Sequence, residues 1–307
     1  MIAQLPTAAF SADNRIWAAI ICYRAKRSSI ENLLAVLHDQ VSQVLVVDND
    51  AASSELSRLE GPSVTYLPMT GNQGTAGAMN SAWRAGLRGH AEFVVCFDQD
   101  SEISPGFIGS LLRQWQTLQR ASGQPIGGIG PVWKDRRTGR WLRTLKPAGW
   151  RRQRVDGQSA DHIEVDHLIS SGCMIHRDTW LAIGPFDESL FLDYVDIEWS
   201  LRARSQGFRF FVTRNSEMRH SIGDSVVSIF GRSLWIHQPQ RQYLLIRNHL
   251  LIWHRSYIPV GWKCRDAIQV AVKVSLVILL RGPRWQRLVW VFRGLRDGLM
   301  GRSGPIM

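Results

Sequence analysis

The chain has 307 residues, 45% of them hydrophobic, so it is long enough to bury the core of a large globular domain. Its formal net charge of +11 is uneven, because residues 231–307 hold 13 Lys and Arg against two Asp and Glu, whereas residues 1–230 hold 24 of each. This basic quarter indicates an anionic partner, either nucleic acid or anionic lipid. The four cysteines are scattered without a CxxC pair, which argues against a disulfide scaffold and favours reduced, buried thiols in the cytoplasm.

Short apolar segments alternate with helical patterns along the first 230 residues. This alternation predicts an α/β domain with a mostly parallel sheet flanked by helices. We expect a loose tail over residues 1–14, this domain over 15–230, and a basic, Trp-rich helical appendage over 231–307. The predicted strands are 16–22, 44–47, 64–67, 93–97, 126–131, 167–175 and 208–212, and the main predicted helices are 30–40 and 76–86.

Polar residues gather just after the predicted strands. The carboxyl ends of parallel strands lie along one edge of a sheet, where ligands bind in open α/β folds. We therefore expect these residues to meet at one ligand: Tyr23, Arg24, Asp48, Asn72, Asp98, Gln99 and Asp100.

Two of these residues, Asp98 and Asp100, are carboxylates spaced i, i+2 directly after a buried strand. Such a pair can hold a hard divalent cation, which in turn can hold a diphosphate. The alternative is a solvated acidic turn. Gly71 and Gly74 precede a helix start, where phosphate binds favourably, but no GxGxxG or GxxxxGK[ST] pattern is present.

Three acids, Asp193, Asp196 and Glu198, stand among bulky apolar residues. They could be surface partners of nearby arginines, but desolvation can also raise the pKa of a carboxylate into the working range of a general base. His220, in the Met218-Arg219-His220 segment that follows the last predicted strand, is a candidate third metal ligand.

The most apolar stretch, residues 267–280, has only 14 residues and contains Lys273, so it is too short to cross a membrane. The next residues mix arginine with Trp, Leu, Val and Phe, a pattern typical of a helix lying on an anionic membrane surface. The alternative is an amphipathic helix packed on the α/β domain or on a second copy of the chain. The membrane hypothesis predicts that truncation after about residue 262 abolishes vesicle binding.

The chain resembles the family 2 glycosyltransferases of the GT-A (Rossmann-like) fold, specifically the bacterial rhamnosyltransferase branch. The resemblance covers roughly residues 15–260 and includes a tail at residues 243–248. Seven motifs carry it, in the family's order: Cys22-Tyr23-Arg24, Val47-Asp48-Asn49, 71–80 (GNQGTAGAMN), Asp98-Gln99-Asp100-Ser101, Ser171-Gly172, 193–199 (DYVDIEW) and His220.

The resemblance implies a role for each matched residue. Asp196 would be the catalytic base, because the family's Glu-Asp pair falls on Val195-Asp196, with Asp193 or Glu198 as residues that could share the work. Asp98, Asp100 and His220 would hold Mg²⁺ or Mn²⁺. The implied donor-binding residues are Cys22, Tyr23, Arg24, Asp48, Asn72, Gly74, Asp98 and Gln99, and the candidate acceptor-side residues are Asp193, Glu198, Trp199, Arg247 and Asn248.

The implied reaction is inverting transfer of L-rhamnose from dTDP-β-L-rhamnose to a saccharide or polyprenyl-diphosphate-linked acceptor. It would serve cell-surface polysaccharide synthesis at the inner face of the cell membrane. Another nucleotide-sugar donor is the first alternative, because the motifs do not specify base or sugar. A basic nucleic-acid-binding protein is the second, although the ordered acidic motifs would repel phosphate unless a metal is present; we therefore expect no nucleic-acid partner.

Overall fold

The computed structural model describes residues 15–50, 55–135, 145–146, 153–154, 161–220, 225–229 and 232–306. For residues 135, 145–146, 153–154, 220, 225–229 and 232–235 it describes the backbone only. The predicted tail over 1–14 and most of the basic segment between 134 and 154 lie outside the described residues.

The first half of the chain forms a parallel sheet with helices between its strands. Strand β1 pairs in parallel with β2 and β4, and β2 pairs in parallel with β3. The register places Cys22 opposite Asp48 and Ile21 opposite Asp98, so the carboxyl ends of these strands are aligned. The bounds are β1 Ile16–Cys22, α1 Arg27–Leu37, β2 Gln43–Asp48, β3 Val64–Pro68, α2 Gly74–Arg88 and β4 Phe93–Asp98.

The second half extends the same sheet with mixed pairing. The strand order is β3-β2-β1-β4-β10-β6-β11-β5, with β9 paired to β11. Strand β10 is antiparallel to β4 and β6, whereas β11 is parallel to β6. The bounds are β5 Glu102–Ile103, α3 Phe107–Ala121, β6 Ile126–Asp135, β7 Leu145–Lys146, β8 Gln153–Arg154, β9 His162–Val165, β10 Cys173–His176, α4 Arg177–Ile183, α5 Val195–Ser205 and β11 Arg209–His220.

A hairpin and three helices complete the described chain. The hairpin is β12 Ser225–Ile229 with β13 Arg232–Ile236, followed by α6 Pro239–Trp253, α7 Val260–Leu280 and α8 Arg284–Leu299. Within the residues described, none of the helices combines the length and apolarity needed to cross a bilayer.

Two apolar cores lie on opposite faces of the sheet. One contains residues of α1 and α3, such as Leu33 and Leu111, and the other contains residues of α2, α4 and α5. The second core also includes Ile252 and Trp262 from α6 and α7. Helices α6 and α7 therefore share a core with the sheet. The α/β class with a mostly parallel sheet and C-terminal helices is confirmed.

Two predicted strands differ from those observed. The strand predicted over 167–175 is reduced to β10, because Gly172 is a turn residue with a left-handed φ of 74° and Ser171 makes only an isolated bridge to Cys96. The strand predicted to end the sheet at Val212 continues as β11 to His220, and a hairpin follows it.

Candidate active site

A cleft of about 990 Å³ opens at the carboxyl ends of β1, β2 and β4. Its first wall contains strand-end residues, among them Tyr23, Asn72, Gly74, Asp98, Gln99 and Asp100. Its second wall contains residues of α6 and α7, among them Arg241, Leu245, Asp266, Gln269, Val270 and Lys273. The segment before α5, residues 191–194, also lines the cleft and contributes Asp193 and Tyr194, and the first turn of α5 contributes Asp196.

Asn49 organises the turn that precedes α2. Its side-chain amide donates to Asn72 Oδ1 and to the Gly74 carbonyl, both at 3.1 Å, and its Oδ1 accepts from the Gln73 backbone N–H at 2.8 Å. Gly74 has a φ of +69°, and a Cβ there would overlap the Phe191 carbonyl. Only glycine therefore fits where the turn meets the segment before α5.

The acidic motif after β4 is held by serine hydroxyls and by the first strand. The Asp98 backbone N–H donates to Ser171 Oγ at 2.9 Å, and Ser171 Oγ lies 3.0 Å from Ser101 Oγ. Gln99 Oε1 accepts from the Tyr23 backbone N–H at 2.7 Å. These contacts bring Asp98 and Asp100 into the cleft beside the end of β1.

Three predicted donor-side residues are not among those that line the cleft. Asp48 is buried and accepts from the Tyr66 hydroxyl at 3.0 Å, so it supports the strand end. Cys22 is also buried, and burial followed by the charge of Asp48 raises the pKa of its thiol to about 12. Arg24 is exposed and forms an ion pair with Asp50 at 2.9 Å.

Asp196 lies in the first turn of α5 and lines the cleft. Its Oδ2 accepts from the Ser170 backbone N–H at 3.2 Å, and its Oδ1 accepts from the Ile197 N–H at 2.9 Å. Burial raises the pKa of Asp196 to about 6, against the lowering effect of these hydrogen bonds and with a smaller contribution from Asp98. A carboxyl with this pKa can accept a proton near neutral pH.

Of the predicted acceptor-side residues, only Asp193 lines the cleft, where it pairs with Arg241 at 3.2 Å. Glu198 is buried, with Arg202 at 3.0 Å and the Tyr257 hydroxyl as partners. Trp199 is buried and donates to the Gly184 carbonyl at 2.9 Å.

Arg247 and Asn248 lie behind the cleft and hold the chain before α5. Asn248 donates from Nδ2 to the carbonyls of Leu190 and Asp193, each at 2.7 Å. Arg247 donates to the Gly304 carbonyl at 2.6 Å. The sequence marked this pair for substrate contact, whereas the structure places both residues in the interior.

The donor set at the end of β4 fits a hard divalent cation in part. Asp98 and Asp100 supply carboxylate oxygens in one cleft, the ligand type that Mg²⁺ and Mn²⁺ prefer. The described side chains contain no cluster of three His, Cys, Asp or Glu residues arranged to bind a metal. The backbone of His220 ends β11, but its side chain lies outside what is described.

Sequence reasoning missed the second wall of the cleft. Asp266, Gln269 and Lys273 are polar residues within or beside the most apolar stretch, and they recur at i, i+3 and i+7. That spacing places them on one face of a helix, and it is the signal in the sequence that could have predicted this wall. Asn49 was also not predicted as a site residue, although it stands directly after Asp48 in one of the motifs.

Comparison with known proteins agrees with this architecture. A family model described as Glycosyl transferase family 2 matches residues 18–180. A dTDP-rhamnosyl transferase, RfbF of Shigella flexneri, is 28% identical over 95% of this chain and 98% of its own length. The hexosyltransferase Agl10 of low-salt glycan biosynthesis in Haloferax volcanii is 26% identical over 61% of each chain.

Solved structures share the fold at low sequence identity. S. aureus TarS 1-349 in complex with UDP superposes with a TM-score of 0.58 and 15% identity, over 94% of this chain and 80% of that one. GalNAc-T7 with UDP, GalNAc and Mn²⁺ superposes with a TM-score of 0.54 and 10% identity, over 83% of this chain and 55% of that one. Because the family model covers more than half of the chain, including the Asn49, Asn72 and Asp98 motifs, this protein belongs to glycosyl transferase family 2 and is a glycosyltransferase.

Proposed function

We propose that the protein transfers L-rhamnose from dTDP-β-L-rhamnose to a saccharide acceptor with inversion at the anomeric carbon. The observation that carries the proposal is that Asp98, Asp100 and Asp196 line one cleft. The choice of rhamnose rests on similarity to the RfbF transferase across nearly the whole of both chains.

In the proposed reaction, the nucleotide diphosphate of the donor binds at the strand-end wall. Asp196 takes the proton from an acceptor hydroxyl, and that oxygen forms a bond to the anomeric carbon on the face opposite the leaving group. The bond from that carbon to the diphosphate breaks, and its electron pair leaves with dTDP. The single displacement converts a β-donor into an α-L-rhamnoside and requires one base, not two catalytic carboxylates.

Asp98 and Asp100 would hold the divalent cation, with His220 as the proposed third ligand. When bound, the cation would supply positive charge against the leaving diphosphate. The residues of this chain orient that site through Ser171 and Gln99, whose contacts fix the backbone on either side of Asp98.

A donor panel tests this proposal. Purified protein would be incubated with dTDP-β-L-rhamnose, UDP-glucose, UDP-GlcNAc and UDP-galactose, and nucleoside diphosphate release and donor binding would be measured. Preference for dTDP-β-L-rhamnose supports the proposal. Preference for a UDP-sugar would reassign the donor, an alternative that the fold shared with UDP-bound TarS keeps open.

We also propose that α8 binds the anionic inner face of the cell membrane. One face of α8 carries apolar side chains that are between 48% and 78% exposed: Trp285, Val289, Phe292 and Leu299. Arg281 and Arg284 are exposed at the start of this stripe. Apolar side chains beside basic ones match the acyl boundary and the negative charge of an anionic leaflet.

Helix α7 supports a lipid-linked acceptor. One side of it faces the cleft through Asp266, Gln269 and Lys273, whereas Ile268 and Val272 are exposed to solvent. An acceptor held at the membrane would therefore be close to the helical wall of the cleft. The proposed acceptor is a saccharide on a polyprenyl diphosphate.

Vesicle sedimentation tests the membrane proposal. We expect wild-type protein to sediment with phosphatidylglycerol vesicles, to be released at high salt, and not to bind phosphatidylcholine vesicles. Trp285→Ser combined with Phe292→Ser should abolish sedimentation, whereas Leu181→Ser, which alters an exposed apolar residue on α4, should not. Equal sedimentation of the double variant would refute it. Truncation after residue 262 is a poor test, because it also removes cleft residues of α7.

A further inference from the structure

A partly buried hydrogen-bond network connects α7 to Tyr194, the residue that precedes α5. Asp266 Oδ2 accepts from the Tyr194 hydroxyl at 2.7 Å and lies 2.7 Å from His249 Nδ1. His249 Nε2 lies 2.9 Å from the indole nitrogen of Trp253, which can only donate. His249 Nε2 is therefore the acceptor, so the ring proton is on Nδ1 and is donated to Asp266.

The segment that Tyr194 closes has a backbone that needs external support. Phe191 and Tyr194 have φ angles of 65° and 71°, left-handed values that cost a non-glycine residue about 1–2 kcal/mol each. Asn248 holds the carbonyls of Leu190 and Asp193. Asp266 holds the Tyr194 side chain, so α6 and α7 support this segment from one side.

The position of Asp196 depends on this segment. Tyr194 is the N-cap residue of α5, and Asp196 is in the first turn. The hydrogen bonds of Asp196 come from backbone N–H groups of Ser170 and Ile197, so its carboxylate moves with the start of the helix. A displacement of about 1 Å in a reacting group can cost about 10²-fold in rate.

We propose that Asp266, acting through Tyr194, is the positioning residue for the catalytic base. This inference rests on the proposed role of Asp196 as the catalytic base. It adds a function for α7, because the carboxylate of Asp266, far from Asp196 in sequence, holds the residue before α5. Neither Asp266 nor Tyr194 takes part in the proton transfer.

Three single variants test the proposal. Tyr194→Phe removes only the hydroxyl, and Asp266→Asn keeps the side-chain shape. Tyr243→Phe is the matched control, because its hydroxyl also donates to a buried aspartate of a C-terminal helix, Asp297, at 3.0 Å but does not contact the segment before α5.

Two readouts separate positioning from a general structural role. The first is kcat per donor-binding site, measured with the best donor of the panel and compared with KM for donor and acceptor. The second is hydrogen exchange in peptides covering residues 188–198. We expect Tyr194→Phe and Asp266→Asn to lower kcat about 10- to 100-fold, to leave donor KM unchanged and to accelerate exchange, whereas Tyr243→Phe changes neither readout.

Each other outcome counts against the proposal. Wild-type kcat and exchange in Tyr194→Phe would overturn it, and Tyr194→Phe decides the question if Asp266→Asn fails to fold. A rise in acceptor KM at constant kcat would instead make Tyr194 a substrate contact. Faster exchange with normal kcat would make the network structural only. If the wild-type protein transfers no sugar, the proposed function fails. Unchanged hydrogen exchange at residues 188–198 in Tyr194→Phe would separately overturn the proposal that Asp266 holds this segment through Tyr194.

Discussion

The wall of the cleft formed by strand ends and the wall formed by C-terminal helices differ in how their residues are brought together. The first uses residues within a few positions of a strand end, aligned by the parallel register of β1, β2 and β4. The second uses Arg241, Asp266 and Lys273, which reach the cleft because α6 and α7 share the core on one face of the sheet.

This difference separates two tasks. The strand-end wall is tied by hydrogen bonds that join neighbouring strand ends, such as those of Asn49 with Asn72 and Gln73, and suits a nucleotide diphosphate held in a fixed orientation. The helical wall carries charged side chains on long stems and suits contacts that depend on the acceptor. Asp196 lies between the walls, so damage to it should affect turnover more than damage to either wall alone.

Among the substitutions, the largest effect is expected for Asp196→Asn. Loss of a general base should lower turnover about 10²- to 10⁴-fold while donor affinity stays near the wild-type value. Kinetics together with donor titration would measure both. Near-normal kcat in this variant, with activity lost in Asp193→Asn or in Glu198→Gln, would move the base to another acid and contradict the assignment.

Metal removal tests the strand-end wall, because Asp98 and Asp100, two of the proposed metal ligands, belong to it. We expect EDTA to stop transfer and added Mg²⁺ or Mn²⁺ to restore it, because Asp98 and Asp100 place two carboxylates beside the proposed diphosphate site. Asp100→Asn should raise the metal concentration needed for half-maximal activity. Full activity in EDTA, with protein free of metal by elemental analysis, would contradict this prediction.

The pH dependence should report Asp196 specifically. Its pKa is raised to about 6 by burial, and only the ionised form can accept a proton. We therefore expect kcat/KM to fall about tenfold for each pH unit below about 6 and to be level just above that value. A rate profile from pH 4.5 to 8 measures this, and a level profile across pH 5 to 7 would exclude Asp196 as the titrating base.

The smallest effect is expected for Lys273→Met on the helical wall. Lys273 lines the cleft, has no hydrogen bond or ion pair with any residue that the structure describes, and has a pKa lowered by burial. We expect its ammonium group to donate a hydrogen bond to the bound acceptor. Loss of a hydrogen bond from a charged group costs about 1.5–3 kcal/mol, so the KM for the acceptor should rise about tenfold or more, whereas the KM for the donor should not rise.

Asn72→Ala on the strand-end wall is the matched counterpart of Lys273→Met. It should raise donor KM and spare acceptor KM, because Asn72 belongs to the network around Asn49 and Gly74. If both variants change the same KM, the division of tasks between the two walls is wrong.

The sequence predicted the strand-end wall well because its signals are local. An apolar strand followed by Asp98-Gln99-Asp100, or a Gly-Asn turn before a helix, places polar atoms at a sheet edge without knowledge of distant contacts. Cys22 and Asp48 are buried and are not among the residues that line the cleft, since adjacency to a strand end does not say whether a side chain faces the cleft or the interior.

The sequence by itself determined the α/β class, the parallel first half of the sheet and the candidate base among the acids at 193–198. Only the tertiary structure decided which of those acids face the cleft: Asp193 and Asp196 line it, whereas helix phase turns Glu198 toward Arg202. It also decided that α7 contacts the segment before α5, through the hydrogen bond from Tyr194 to Asp266. Such contacts join residues 72 positions apart, and their pairing depends on how whole helices pack.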